Sequence, residues 1–271
     1  EREDGQLEIS LTMKMISEKY TKLGEQVCID DVADFISVAL NTRLRAAKNM
    51  PQYLTPEWNT YYFAEEANYH LLTGVAKAVK ETEHISGDNY SFYEAENCRM
   101  VAVLSDGMGS GEKACDDSER IIEKMERLLE AGFRKETAVQ MINGALVAAG
   151  QEEHMSTLDL CDINMYTGAC EFVKAGAACS YIKRGRLVDR LSALNFPLGV
   201  FGQIEPERMQ RVLQSGDYVI MLSDGILDAL SQGLGEEMLP EIIGRIEYTN
   251  PNEIANQILA YCLKQSNGQV R

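Results

Sequence analysis

Two apolar runs in this chain end in the same phrase. Val101-Ala102-Val103-Leu104 leads into Ser105-Asp106-Gly107-Met108-Gly109, and Tyr218-Val219-Ile220-Met221-Leu222 leads into Ser223-Asp224-Gly225-Ile226. Short β-branched and aromatic runs bounded by turn residues read as strands. Each phrase therefore puts an aspartate at the exposed end of a strand, with a glycine behind it. A third acid, Asp88, stands just upstream in Ser86-Gly87-Asp88-Asn89-Tyr90-Ser91. A single Asp-Gly most often just begins a turn. Two strand-ending copies and Gly87-Asp88 argue for more than that. Carboxylates at strand ends, with glycines that let backbone come close, suit hard divalent cations bound through oxygen. The pattern predicts a metal-dependent enzyme acting on phosphate.

The charge balance agrees. Of 271 residues, 26 are basic and 42 acidic, a net charge of −16. Such a surface disfavours nucleic acid and anionic membrane as partners and concentrates cations. Seven cysteines are scattered without a C-x-x-C, which suggests reduced thiols in a cytosolic setting. Cys161, Cys170 and Cys179 are evenly spaced, but strand-turn-strand geometry accounts for that better than zinc. There is no signal peptide and no long apolar run. The chain opens without methionine and stops after Val270-Arg271, so it reads as a soluble fragment of a longer protein.

Residues 1–60 are expected to form a helical segment, with a connector at 49–60 marked by Pro51, Pro56 and Asn59. Asp30 or Asp31 would cap a helix burying Val32, Phe35, Ile36, Ala39, Leu40 and Leu44. Leu7 to Leu23 is read as helix, although Leu7, Ile9, Leu11, Met13 and Met15 alternate like a strand. Residues 61–271 form the main domain. Its predicted strands are 69–79, 88–94, 99–105, 156–165, 169–175, 179–184, 186–191, 208–214 and 217–223. Turn signals between them favour antiparallel pairing. Helices are predicted over 112–129 and 135–149, and a last one begins at Asn250-Pro251-Asn252-Glu253.

Other chemistries fit less well. Asp106 to Lys113 lies between a strand and a helix, as a nucleotide loop would. It lacks Gly-Lys-Ser/Thr, and its glycines do not match G-x-G-x-x-G. The three histidines are far apart in sequence. Cys179 to Arg184 is one residue short of C-x5-R, and no G-x-S-x-G elbow occurs. Ser156 and Thr157 begin a strand, where their hydroxyls could orient a metal-bound water or serve only as an ordinary strand start. Asp162 is a further candidate acid.

These motifs resemble a known family. Gly87-Asp88-x-x-Ser91, Ser105-Asp106-Gly107-Met108-Gly109-x-Gly111, Ser156-Thr157-Leu158-Asp159-Leu160 and Ser223-Asp224-Gly225 are similar to those of the metal-dependent protein phosphatases of the protein phosphatase 2C type. In its bacterial branch the chain resembles the stage II sporulation protein E group. Thr73-Gly74-Val75-Ala76-Lys77-Ala78, Phe172-Val173-Lys174-Ala175-Gly176, Ser180-Tyr181-Ile182-Lys183-Arg184-Gly185 and Asn195-Phe196-Pro197-Leu198-Gly199 support that. The resemblance covers about 67–271.

The resemblance implies an α+β fold, an αββα sandwich of two antiparallel sheets flanked by helices, preceded by a helical regulatory segment. It implies a serine/threonine phosphatase with two Mn2+ or Mg2+ ions, in which a metal-bridging hydroxide attacks phosphorus. Asp88, Asp106 and Asp224 would bind the ions, with the Gly107 carbonyl. The implied substrate is a phosphorylated anti-sigma factor antagonist. The N-terminal helices would contribute a homodimer contact. The expected location is the cytoplasmic face, with any membrane anchor outside this fragment. The family's further Asp-Asp-Met-Thr motif has no counterpart before Arg271. The alternative is therefore a phosphatase-like regulatory or binding module with an incomplete metal site.

Overall fold

A computed structural model describes residues 7–15, 26–47, 49–79, 85–95, 98–109, 111–149, 155–231 and 236–265. The chain divides into two compact units, Glu1–Asn68 and Tyr69–Arg271.

The first unit is a small sheet carrying one helix. Strands β1 (Glu8–Met13), β2 (Leu44–Ala46) and β3 (Asn59–Glu65) pair antiparallel in the order β1-β3-β2. This corrects the expected all-helical segment. From Leu7 to Met13 the apolar residues recur every second position, and that period seats Ile9, Leu11 and Met13 on one face of a strand. Residues 16–23 of that expectation lie outside the described residues. Helix α1 (Ile29–Leu40) packs through Ile29 and Ala33, flanked by Val32 and Ile36, against Leu44, Tyr61 and Phe63. The expected buried stripe is thus rotated. Phe35 and Val38 are 76% and 83% exposed, because a three-stranded sheet covers only one narrow side of the helix. The unit also ends later than the expected boundary at residue 60, since β3 completes its sheet.

The second unit has two antiparallel sheets. The larger has the order β10-β7-β6-β5-β4: β4 (Asp88–Ala95), β5 (Arg99–Asp106), β6 (Leu158–Asn164), β7 (Ala169–Ala175) and β10 (Glu207–Val212). The smaller joins β11 (Tyr218–Ile220), β8 (Ser180–Arg184) and β9 (Leu187–Leu191). Helices α2 (Gly111–Glu130) and α3 (Lys135–Ala148) cover the larger sheet. Ile121, Ile122, Met125, Ala138, Val139 and Ile142 pack there on Val101, Val103, Leu158, Leu160 and Val173. Helices α4 (Asp224–Ser231), α5 (Leu239–Arg245) and α6 (Pro251–Gln265) cover the smaller, where Leu230, Leu239, Ile243, Ile254 and Ile258 pack on Tyr181. The result is the expected αββα layering. Burial of these apolar faces supplies the main driving force for the layers.

No strand forms over 69–79. Gly74 instead lies against the start of α6, where an added Cβ would stand 2.3 Å from Asn252 N, and Val75 N–H donates to Asn252 Oδ1. That segment runs as a strap between elements. The predicted strand 217–223 is shorter than expected, because Asp224 opens a helix.

A buried ion pair within the larger sheet is tied to the smaller sheet through a serine hydroxyl. Lys174 Nζ, 0% exposed, donates to Asp159 Oδ2 (2.5 Å), Ala178 O (2.8 Å) and Ser180 Oγ (2.8 Å). Asp159 lies on β6, Lys174 on β7 and Ser180 on β8.

Candidate metal centre

Strand pairing decides which acids meet. In the β4–β5 register Asp88 stands directly opposite Asp106. Like charges facing each other across a ladder are destabilising, so the pair is not explained by folding alone. The third acid arrives from the second sheet, because Leu222 is buried and Asp224 follows as the first residue of α4. The hydroxyl of Ser223, the residue before Asp224, reaches the Asp88 carboxylate, so the Asp224 turn meets the Asp88–Asp106 pair. Three acids separated by up to 136 positions thus share one end of the sandwich.

The electrostatics follow from that crowding. Burial, the hydrogen bond with Asp224 and the negative charges of Asp88 and Asp224 push the Asp106 carboxyl up to about 9. It is therefore neutral at pH 7 and can donate a proton to a neighbouring carboxylate. Asp88 has three further partners, one of them Ser86, whose Oγ accepts from the Asp88 N–H (3.3 Å). The Asp88 Oδ2 accepts from Ser223 Oγ (2.9 Å), and the Asp88 main-chain oxygen accepts from Lys77 Nζ (2.6 Å).

Backbone fit around the acids is tight. Helix α2 starts over Gly107, where a Cβ would stand 2.0 Å from the Ala114 carbonyl oxygen. No other residue fits there without moving the helix. Gly111 starts that helix at φ +75°, a conformation that favours glycine. Asn89 Nδ2 donates to Cys115 O and Ser118 Oγ, and Ser118 Oγ donates to Gly87 O, which ties α2 to the Asp88 turn.

Among the described residues no three acidic, histidine or cysteine side chains stand in the spread of a formed metal cage. The carboxyl groups bond to one another instead, which is the arrangement a neutral Asp106 requires. The donor set nevertheless fits a hard divalent cation. It offers three carboxyl groups, and a cation would relieve the repulsion that keeps Asp106 protonated.

Several expectations are met differently. The Ser156 and Thr157 hydroxyls do not face outward toward a water site. They bond the main chain of Asp106: Ser156 Oγ donates to Asp106 O (2.6 Å), and Asp106 N–H donates to Thr157 Oγ1 (3.0 Å). Asp162 is engaged elsewhere, by Arg99 (2.6 Å) and Lys135. His84 and His154 lie outside the described residues. Lys77 and Ser223 were given no role by sequence reasoning. Ser223 could have been found, because it belongs to the repeated Ser-Asp-Gly phrase; Lys77 carries no comparable signal.

The family described as Stage II sporulation protein E (SpoIIE) matches residues 96–271. The chain belongs to that family. It is 32% identical over 209 residues to stage II sporulation protein E of Bacillus subtilis (strain 168), covering 77% of this chain and 25% of that protein. It is 32% identical over 203 residues to the Priestia megaterium protein of the same name, covering 74% of this chain and 35% of that one. The chain thus spans about a quarter to a third of these SpoIIE relatives. Among solved structures it is similar to the PP2C phosphatase domain with a fragment of the regulatory domain of SpoIIE from Bacillus subtilis. That match has 28% identity and a TM-score of 0.77, and covers 100% of this chain and 77% of that one. The chain therefore falls in the PP2C-type serine/threonine phosphatase family, whose members depend on metal.

Proposed function

We propose that this chain hydrolyses phosphoserine or phosphothreonine on a small regulatory protein, a phosphorylated anti-sigma factor antagonist. Two Mn2+ or Mg2+ ions would be held by Asp88, Asp106, the Gly107 carbonyl and Asp224. The observation that carries the reading is the convergence of the acids: Asp88 stands opposite Asp106 in the β4–β5 register, and Ser223, the residue before Asp224, donates to the Asp88 carboxylate. Bound ions of this kind acidify water and neutralise phosphoryl oxygens, the main requirement in phosphoryl transfer. The chain's own residues supply the frame. Ser223 orients the Asp88 carboxylate, and α2 closes over Gly107 to fix its carbonyl. The test is phosphate release from a phosphoserine-bearing antagonist protein by the full-length enzyme. Turnover is expected with Mn2+ or Mg2+ and absent with chelator. Equal turnover in chelator would overturn the reading.

The first unit is proposed to regulate rather than catalyse, through a homodimer contact on α1. Phe35 and Val38 support this, since both are large, apolar and exposed. Light scattering is expected to give twice the chain mass, and Phe35→Glu is expected to halve it. A monomeric wild-type protein would remove the idea. The reading sets the domain at the cytoplasmic face, with any anchor in other parts of a longer protein. No described helix is long and apolar enough to cross a membrane.

A further inference from the structure

The β5–β6 ladder is regular from Arg99↔Asn164 to Leu104↔Asp159, and it resumes as a bridge at Gly107↔Ser156. Between them lie two positions, Ser105–Leu158 and Asp106–Thr157, and the second is the one due to carry main-chain hydrogen bonds. In an antiparallel hydrogen-bonded pair each residue's N–H reaches the other's main-chain oxygen. One half of that exchange is present, with Thr157 N–H donating to Asp106 O at 2.9 Å. The other half is replaced. Asp106 N–H donates to the Thr157 side-chain oxygen at 3.0 Å, and the Thr157 main-chain oxygen accepts from Ser105 Oγ at 2.7 Å.

A hydroxyl has thus been inserted into the rung next to the acid triad. Two fully buried serines hold the altered rung in place. Ser105 donates to Thr157 O, Ser156 donates to Asp106 O, and their hydroxyl oxygens lie 3.0 Å apart. Each hydroxyl has one proton, and both protons are directed at main-chain oxygens of the rung. Ser156 is itself fixed from its other side, where it exchanges main-chain hydrogen bonds with Leu198 (3.3 and 2.9 Å).

We propose that Thr157 is a positioning residue for the metal centre: its hydroxyl takes the Asp106 N–H out of the ladder and so sets the direction of the Asp106 carboxyl and the Gly107 carbonyl. Ser105 and Ser156 lock that setting. A strand that only had to end here would keep the main-chain rung, which needs no side chain. The inference rests on the metal-centre reading above. Groups that orient ligands from behind typically contribute 10–100-fold to metal affinity.

The test is Mn2+ binding to metal-free protein, followed by the Mn2+ electron paramagnetic resonance signal and by calorimetry, with no substrate present. Thr157→Val keeps the shape and removes the acceptor. It is expected to weaken Mn2+ binding by about 10-fold or more. Thr157→Ser restores the acceptor and is expected to stay within about threefold of wild type. A purely structural role would lower the melting temperature and leave Mn2+ affinity alone, and that result in folded Thr157→Val overturns the inference. Should Thr157→Val be unfolded at the assay temperature, Ser156→Ala decides: weaker Mn2+ binding supports the inference and wild-type binding overturns it. If wild-type protein binds no Mn2+, the metal-centre reading itself fails, which is a distinct outcome from wild-type binding that the variants leave unchanged.

Discussion

Asp106→Asn is expected to abolish phosphatase turnover and, in metal-free protein above neutral pH, to raise the melting temperature. The two effects have one cause. In the fold the Asp106 carboxyl is pushed up to about 9 by burial, by its hydrogen bond with Asp224 and by the charges of Asp88 and Asp224. In an unfolded chain it titrates near 4. Its folded-state value is raised, so between those limits the native state binds more protons than the unfolded state. The contribution of Asp106 to stability is then greatest below about pH 4 and declines as pH rises toward 9. Asparagine has no proton to lose and carries no charge facing Asp88. The gap in melting temperature between variant and wild type should therefore widen steadily from pH 5 to pH 9 in chelator. At pH 8 a gain of 1–2 kcal/mol, or about 2–8 °C, is expected. Turnover should fall by roughly 10²–10³-fold or more, because a ligand of the proposed ions is lost. A variant with near-wild-type turnover, or one whose melting temperature runs parallel to wild type across pH, would refute the account of Asp106.

The parts legible in the sequence are those where one local rule decides. The β5, β6 and β7 runs are short, largely apolar and bounded by turn residues, and their strands fall close to the expected positions, with Ala169–Ala175 matching 169–175. Helix α3 begins at the expected residue, Lys135. The repeated Ser-Asp-Gly phrase singled out acids that the fold brings together, because a strand end followed by glycine fixes where each carboxyl emerges. Elsewhere two rules competed. At Glu8–Met13 a period-two pattern stood within a segment that otherwise lacked strand character, and tertiary pairing with β3 settled it. At Asp224 the turn reading and the helix-start reading share the same residues, and burial of Leu230 from α4 in the core beside Tyr181 and Ile243 chose helix.

What was not legible depends on pairs across the fold. Thr157 looks like any strand-opening threonine until the register sets it beside Asp106. The Phe35 and Val38 face of α1 looks like a core stripe until the sheet proves too narrow to cover it. Lys174 looks like the polar, outward residue of an alternating strand. Only the second sheet, laid over that face, turns it inward toward Asp159 and Ser180.

Lys174→Met is expected to be the most destabilising single change in the core, costing about 3–5 kcal/mol at pH 7. Lys174 is 0% exposed and Asp159 1% exposed, so neither charge can turn to water. All three Lys174 donors are used, and Asp159 Oδ1 is buried with no protein partner among the described residues. Burial raises the Asp159 carboxyl from its ordinary value against the opposing pull of Lys174 and the hydrogen bonds from Lys174 and Ser180. Without Lys174 only burial and the Ser180 contact remain, so the folded variant must keep Asp159 protonated. That requirement fixes the pH dependence. The folded-state value is raised, so the penalty vanishes below the unfolded value near 4 and grows as pH rises. The melting-temperature deficit of Lys174→Met should therefore shrink from pH 8 to pH 4. Adding Asp159→Leu should recover most of the loss at pH 7, because two apolar groups replace a buried ion pair at little net cost. A double variant as unstable as Lys174→Met, or a deficit independent of pH, would mean that Lys174 acts through packing alone and not through its charge on Asp159.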